Sequence, residues 1–265
     1  IHIYDEASGH CLLTILRPGR TPDGREVRGH IRRLVHRLRM HWPRTRITIR
    51  GDSHYGRKEV MDWCEANDVT YIFGFTPNKV LAEKIFPKLD ECCVRRALAQ
   101  ADKVRDFALT RYAAKSWKRE RRVVARVEVT RRGADVRYAV TNIKRGTGRY
   151  LYETVYCARG QAENLIKRHK SQLASDRTSC RSPLANQMRL ILHTMAYWLM
   201  RTIRTAIPQG EALASSEFST IRLRLLKVAV RVRETGSRVR LAFAANCPTA
   251  RVFRDLILTL FPRPT

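Results

Sequence analysis

Apolar residues along this chain recur with two periods, and the switches between them mark out its elements. Ile1–Asp5 and Cys11–Leu16 are strand-like, with turn-like Ala7-Ser8-Gly9 between them, and Arg17-Pro18-Gly19 ends the second run, so the segment predicts a hairpin. From Asp23-Gly24 to about Met40 the period becomes helical, with Val27, Ile31, Leu34, Val35 and Leu38 on one face, until Pro43 closes it. Arg46–Arg50 alternates and predicts a short strand ending at Gly51-Asp52. Arg57–Asn67 reads as a helix with Val60, Trp63 and Cys64 inward, and Val69–Phe75 is apolar enough for a central strand. Helix and strand alternating after a hairpin imply a mixed sheet with helices on its faces.

The texture changes between about Thr76 and Tyr150. The pattern predicts a helical stretch near Val94–Trp117, then two β-rich segments, Arg122–Thr130 and Val136–Asn142, about a turn at Gly133. Helix resumes near Tyr156–Leu173. Ser182-Pro183 opens a long helix, Leu184 to Thr205, with Met188, Ile191, Leu192, Met195, Leu199 and Ile203 as its expected core stripe, and Pro208 ends it. The tail predicts a helix near Phe218–Lys227, a basic hairpin around Gly236-Ser237 and a helix near Thr249–Phe261.

Charge narrows the partner. Lys and Arg number 52 against 24 Asp and Glu, a net of +28. Solubility does not require that excess; it points to a polyanion, nucleic acid before an anionic membrane surface. The longest apolar run, Leu190 to Met200, contains His193 and is too short for a bilayer, which needs about 20 residues. Seven cysteines without a C-x2-C pair suggest neither a zinc site nor a disulfide framework, and with no secretory segment visible they read as reduced and cytoplasmic. The scattered histidines read as structural or surface residues.

One stretch carries chemistry. Tyr156, Arg159, Glu163 and Lys170 are spaced Y-x2-R-x3-E-x6-K, and on a uniform α-helix they fall within a stripe about 60° wide. A lone carboxylate between two cations and a phenol suits a metal ligand beside a bound phosphate chain. Its bland counterpart is an i, i+4 ion pair with Arg159 or Lys167 on a solvated face. A second acid, Asp52, lies at a strand end in Arg50-Gly51-Asp52-Ser53-His54-Tyr55-Gly56, where open sheets turn carboxylates toward ligands. It reads equally as an Asx-turn or helix cap. The Arg-Gly-Asp tripeptide as an adhesion motif has no support in a chain without a secretory signal.

The stretches Leu16-Arg17-Pro18-Gly19, Arg50-Gly51-Asp52-Ser53, Tyr71-Ile72-Phe73-Gly74-Phe75, Arg121-Arg122-Val123-Val124, Arg137-Tyr138-Ala139-Val140-Thr141-Asn142, Tyr156-Cys157-Ala158-Arg159-Gly160-Gln161-Ala162-Glu163-Asn164 and Ala185-Asn186-Gln187 resemble a bacterial insertion-sequence DDE transposase of the Y-R-E-K signature branch. The resemblance implies an α/β fold: a ribonuclease-H-like mixed sheet flanked by helices, with an α+β insertion between the second and third acids and a mostly helical C-terminal tail. The divisions it implies are 1–75 and 151–207 for the core, 76–150 for the insertion and 208–265 for the extension. It further implies that Asp52 and Glu163 are the second and third acids of the triad. They would be catalytic and would hold two Mg2+ (or Mn2+) ions, while Tyr156, Arg159 and Lys170 hold the transposon end. The partner implied is double-stranded DNA, transposon end and target, with room for a homodimer on DNA, no membrane, and a place in the bacterial cytoplasm near the nucleoid.

The fold calls for three antiparallel strands before the first helix, and the sequence supplies two. Asp5 and Glu6 therefore read as hairpin-turn residues. The first aspartate is expected upstream of Ile1, in a chain read as a truncated piece that is inactive alone. The functional expectation is metal-dependent strand cleavage and transfer at terminal inverted repeats. The alternative is a non-catalytic DNA-binding transposase remnant. A ribonuclease-H-type nuclease without transposition and an RNA-binding protein of translation fit the charge, but not the spacing of the acids.

Overall fold

The computed structural model describes residues 1–261. The chain divides into two compact units: a sheet unit, Pro18–Gln161, and a helical unit formed by Ile1–Arg17 with the chain from Ala162 onward.

The helical unit begins with β1 (His2–Tyr4) and β2 (Cys11–Thr14); in the sheet unit the elements run α1 (Gly24–His41), β3 (Thr48–Gly51), α2 (Lys58–Ala66), β4 (Thr70–Phe75), α3 (Lys79–Leu98), β5 (Lys103–Tyr112), β6 (Arg121–Thr130) and β7 (Gly133–Thr141). Five strands form one mixed sheet in the order β3-β4-β7-β6-β5, with β3 parallel to β4 and the remaining pairs antiparallel. The segment 76–150 thus supplies three strands to the sheet that β3 and β4 begin.

Alternation along the strands sorts the core into two layers. Tyr71, Phe73, Val123, Ala125, Val127 and Val140 pack with Val27, Ile31 and Val35 of α1, Val60, Met61 and Cys64 of α2, and Leu81, Ile85 and Cys92 of α3. On the other face Ile72, Val124 and Ala139 meet Leu151, Tyr152 and Val155. The helix expected from Asp23 is capped by that residue, whose carboxylate accepts from Glu26 N at 2.8 Å. Val69–Phe75 is central as expected, with β4 flanked by β3 and β7.

One element departs from the pattern-based reading. The helix lies at Lys79–Leu98, not Val94–Trp117, and Lys103–Tyr112 is a strand. The strand's inward positions, Val104, Ala108 and Tyr112, alternate correctly. Asp106, on the same face, pairs with Arg95 at 2.8 Å and Lys88 at 3.4 Å of α3. Ten cross-strand partners on β6 fix the strand, and that long-range pairing has no local signature.

A buried ion cluster closes the start of β6. The Arg121 guanidinium reaches Glu65 at 2.7 Å and Asp62 at 2.5 Å and lies 4.7 Å over the Trp117 ring. Tyr71 donates its hydroxyl to Glu65 at 2.7 Å. Burial opposes the charge on Arg121, but its bonds to Glu65 and Asp62 outweigh that and hold its pKa above the ordinary value.

In the helical unit β1 (His2–Tyr4) and β2 (Cys11–Thr14) form the expected antiparallel hairpin. Asp5 accepts from both Ser8 N, at 2.9 Å, and Ser8 Oγ, so its carboxylate is a turn residue, held below its usual pKa by those bonds. The unit continues through α4 (Gly160–Leu173), α5 (Pro183–Ala206), α6 (Phe218–Ile221), β8 (Val230–Thr235), β9 (Arg238–Phe243) and α7 (Ala250–Leu260). The tail helix expected over Phe218–Lys227 is α6 followed by a π-turn at Arg222–Leu226.

The helix α5 starts where Ser182-Pro183 predicted, but buries a different face. Leu190, Thr194, Tyr197 and Met200 are inward; Met188, Ile191, Leu192, Met195 and Leu199 of the expected stripe are exposed, and Ile203 is half-buried. The helix is apolar nearly all round, so periodicity could not choose. Hydrogen bonds chose: Thr194 Oγ1 meets Thr14 Oγ1 at 3.0 Å, Tyr197 donates to Gly9 O at 2.9 Å, and Trp198 donates to Cys11 O at 2.9 Å. Among the described residues no helix is long and apolar enough to cross a membrane.

Candidate nucleic-acid-processing site

Asp52 follows Gly51 at the C-terminal end of β3, where the strand beside it, β4, runs parallel. Its Oδ1 accepts the His54 backbone N–H at 2.8 Å and lies 3.2 Å from His54 Nδ1. This is the Asx-turn that local reasoning offered. The turn also fixes the carboxylate while leaving 43% of the side chain exposed, so it orients the acid without enclosing it.

Tyr156 arrives at the same strand end. A Cβ placed on Gly74 would stand 2.7 Å from the Tyr156 hydroxyl, 2.9 Å from Ser53 N and 3.2 Å from the Asp52 carbonyl carbon. Only glycine leaves the space in which the phenol crosses β4 beside the Asp52 turn. The Tyr156 ring lies 5.2 Å from Tyr152, and the Arg159 guanidinium stacks 5.3 Å from its centre. Asp52, Tyr156 and Arg159 are therefore brought together within the sheet unit.

Glu163 and Lys170 lie beyond the unit boundary, on α4, and both are exposed. Seven residues apart on one α-helix, they share a face, about 10 Å apart along the axis. The four signature residues do not lie on one uniform α-helix as the stripe assumed. Tyr150–Tyr156 is a π-turn, Cys157–Arg159 is a 3-10 turn, and α4 begins at Gly160. Looser and tighter turns alter the angle between successive side chains, so Tyr156 and Arg159 are phased by their own packing.

The signature helix is anchored by His169, a residue not singled out from sequence. It is fully buried, with Nδ1 2.6 Å from Ser175 Oγ and Nε2 3.3 Å from Thr194 Oγ1. Thr194 in turn meets Thr14 of β2, so one polar chain fixes α4 against α5 and the hairpin. Burial, with His193 nearby, pulls the imidazole pKa down to about 4. His54 and Gly74 were also unassigned. The available signal for Gly74 was a glycine inside an apolar strand run, which marks a close backbone approach.

An open cleft of about 1240 Å³ lies at the other end of β4, lined among others by Asp68, Thr70, Arg111, Arg119, Arg122 and Arg145. Asp52 is not among its walls, and the exposed strand end is the better setting for work on a long polymer. Among the described residues no group of three or more His, Cys, Asp and Glu side chains stands together in a way that could hold a metal.

Comparison with curated proteins finds no match. A family model does match, and it spans residues 1–265: the transposase DDE domain, group 1. The mixed sheet with its helices is compatible with the α/β fold expected, and the chain belongs to the transposase DDE domain family.

Proposed function

We propose that this protein is a DNA transposase of insertion-sequence type, cleaving and joining strands at terminal inverted repeats on a ribonuclease-H-like core. The observation that carries the reading is the meeting of Asp52, Tyr156 and Arg159 at one strand end, in a chain of the DDE family. Asp52 and Glu163 are the acids of the site. Tyr156 presents its phenol to a nucleotide beside Asp52, Arg159 contacts a phosphate while stacked on Tyr156, and Lys170 adds a cation on the α4 face that carries Glu163.

The donor chemistry fits a hard divalent cation: both acids are carboxylates, and the Asp52 side chain is open to the solvent that Mg2+ retains in its shell. Asp52 and Glu163 would hold it. When bound, such an ion supplies Lewis acidity to the phosphodiester and lowers the pKa of an attacking water or 3′-hydroxyl. The chain itself orients the Asp52 carboxylate through the His54 N–H, places the phenol over Gly74 and holds α4 in register through His169.

The test uses the product of the complete coding frame, incubated with Mg2+ and duplexes carrying the DNA that flanks that frame. Asp52→Asn and Glu163→Gln are expected to abolish strand nicking while duplex affinity is kept. Undiminished nicking by either variant removes that acid from the site. Binding without nicking by the unaltered product of that complete frame selects the non-catalytic DNA-binding reading.

A further inference from the structure

The pairing register of β8 and β9 sorts this ribbon into two unlike faces. Arg231 lies opposite Ala242, Arg233 opposite Arg240, and Thr235 opposite Arg238. Residues directly opposite, and those two apart along a strand, share a face, so all four arginines stand on one side. The other side carries Val230 with Phe243, Val232 with Leu241, and Glu234 with Val239. The ribbon's single acid therefore lies away from its cations.

The arginine face has no internal counter-ion: among the described residues Arg231, Arg233, Arg238 and Arg240 make no ion pair, and all four are exposed. Like charges set directly opposite oppose strand pairing, so Arg233 facing Arg240 is unfavourable for the free ribbon. The other face is anchored at one end, while Val232, Val239 and Leu241 on it are exposed. Phe243 packs at a tilt against Phe253 of α7 with ring centres 4.9 Å apart, which turns the arginines away from that helix.

We propose that the arginine face of β8–β9 is a docking surface for double-stranded DNA, inserted as a two-stranded ribbon into the major groove. The inference rests on the reading of this chain as a DNA-acting protein and adds a second contact region to it. A B-form major groove, about 12 Å wide, admits a two-stranded ribbon. Arginines two residues apart repeat at about 6.8 Å, the rise of two base-pair steps. The planar guanidinium fork suits phosphate and the O6/N7 edge of guanine alike. A-form RNA is a poorer partner, because its major groove is too narrow to enter. An anionic bilayer is a poorer partner too, because it needs cations and apolar side chains on one side, whereas here the exposed Val232, Val239 and Leu241 stand opposite the arginines and beside Glu234.

The experiment uses the full chain with all four positions changed: Arg231→Gln, Arg233→Gln, Arg238→Gln and Arg240→Gln. A control loses the same charge from α1 and the loop after it, through Arg28→Gln, Arg32→Gln, Arg37→Gln and Arg44→Gln. Affinity for a duplex of random sequence is measured over a salt series, with circular dichroism and Tm confirming the fold. The ribbon variant is expected to bind about a hundredfold more weakly near 0.2 M salt, its log–log salt slope shallower by about 3 to 4. Prior methylation of guanine N7, which fills the major groove, is expected to weaken the unaltered chain more than the variant.

Losses equal in ribbon variant and control, or none in the ribbon variant, overturn the ribbon proposal while duplex binding by the unaltered chain leaves the wider reading standing. No duplex binding by the unaltered chain removes both. Loss of binding to phosphatidylserine-containing vesicles with duplex binding intact replaces DNA by a membrane and overturns the proposal.

Discussion

Two basic β-ribbons in this protein handle their charge in opposite ways. In β6–β7, Arg126 faces Arg137 across the strands, and Asp135 pairs with both, at 3.0 Å to Arg137. Beside them Glu128 takes Arg105 at 2.6 Å and Lys103 at 3.0 Å. In β8–β9, Arg233 faces Arg240 in the same geometry, with the only acid on the far side of the ribbon. The sequence predicts the first as β-rich segments and the second as a basic hairpin. The difference shows that net charge locates a polyanion partner only after the charges neutralised within the fold are set aside. Removing acids or cations should damage the first region and spare the second.

The largest effect is expected at the buried pair that opens β6. Arg121→Met leaves buried Glu65 with only the exposed Arg119 at 3.5 Å, and Asp62 with only Lys58, and should cost about 3–5 kcal/mol of unfolding free energy, read from urea denaturation. A loss below about 1 kcal/mol would mean that the cluster is solvated and that the contrast with the ribbon is one of degree.

Acid should separate the two units. His169 is neutral in the fold, with a pKa near 4 against 6.5, so the unfolded chain takes up its proton first as pH falls. Stability from this site is fully present above about pH 6.5 and is lost toward pH 4, by about 3 kcal/mol. The carboxyls of Asp62, Asp106 and Glu128 are shifted below their ordinary values: burial raises them, but their basic partners, and for Asp106 first the Phe107 backbone N–H, outweigh it and hold them low. Their contribution persists above the ordinary carboxylate range and is lost only as pH falls through their lower folded values. Hydrogen exchange should therefore show α4 and α5 opening at a higher pH than β5–β7; the reverse order would refute the buried-histidine account.

Smaller effects probe the ribbons directly. Asp135→Asn should expose the Arg126–Arg137 repulsion and cost about 0.5–1 kcal/mol in denaturant unfolding. Arg233→Gln, which relieves the corresponding repulsion, should change stability by no more than about 0.5 kcal/mol, in the stabilising direction. A clear destabilisation there would show that Arg233 serves the fold and not a partner.

Much of the scaffold was legible along the chain because its signals are local. The Asp23 cap, the Gly133 turn, the Ser182-Pro183 start and the two terminal hairpins each depend on neighbours in sequence. Asp52 was also legible, since a strand end followed by an Asx-capable residue is a local arrangement. β5 was not, because its alternation competes with a helical reading until β6 pairs with all ten of its residues.

By itself the sequence determined the order of most elements, the excess of positive charge and the match to the transposase DDE domain family. Tertiary structure alone decided which side of α5 is inward, because an all-round apolar helix has no preferred face until Thr14, Gly9 and Cys11 offer polar partners. It alone decided that Tyr156 crosses Gly74 beside Asp52, since helical phase through a π-turn is set by packing. It also decided which arginines lack a counter-ion. A residue's charge is written in the chain, but the distance to its nearest opposite charge exists only once the chain has folded.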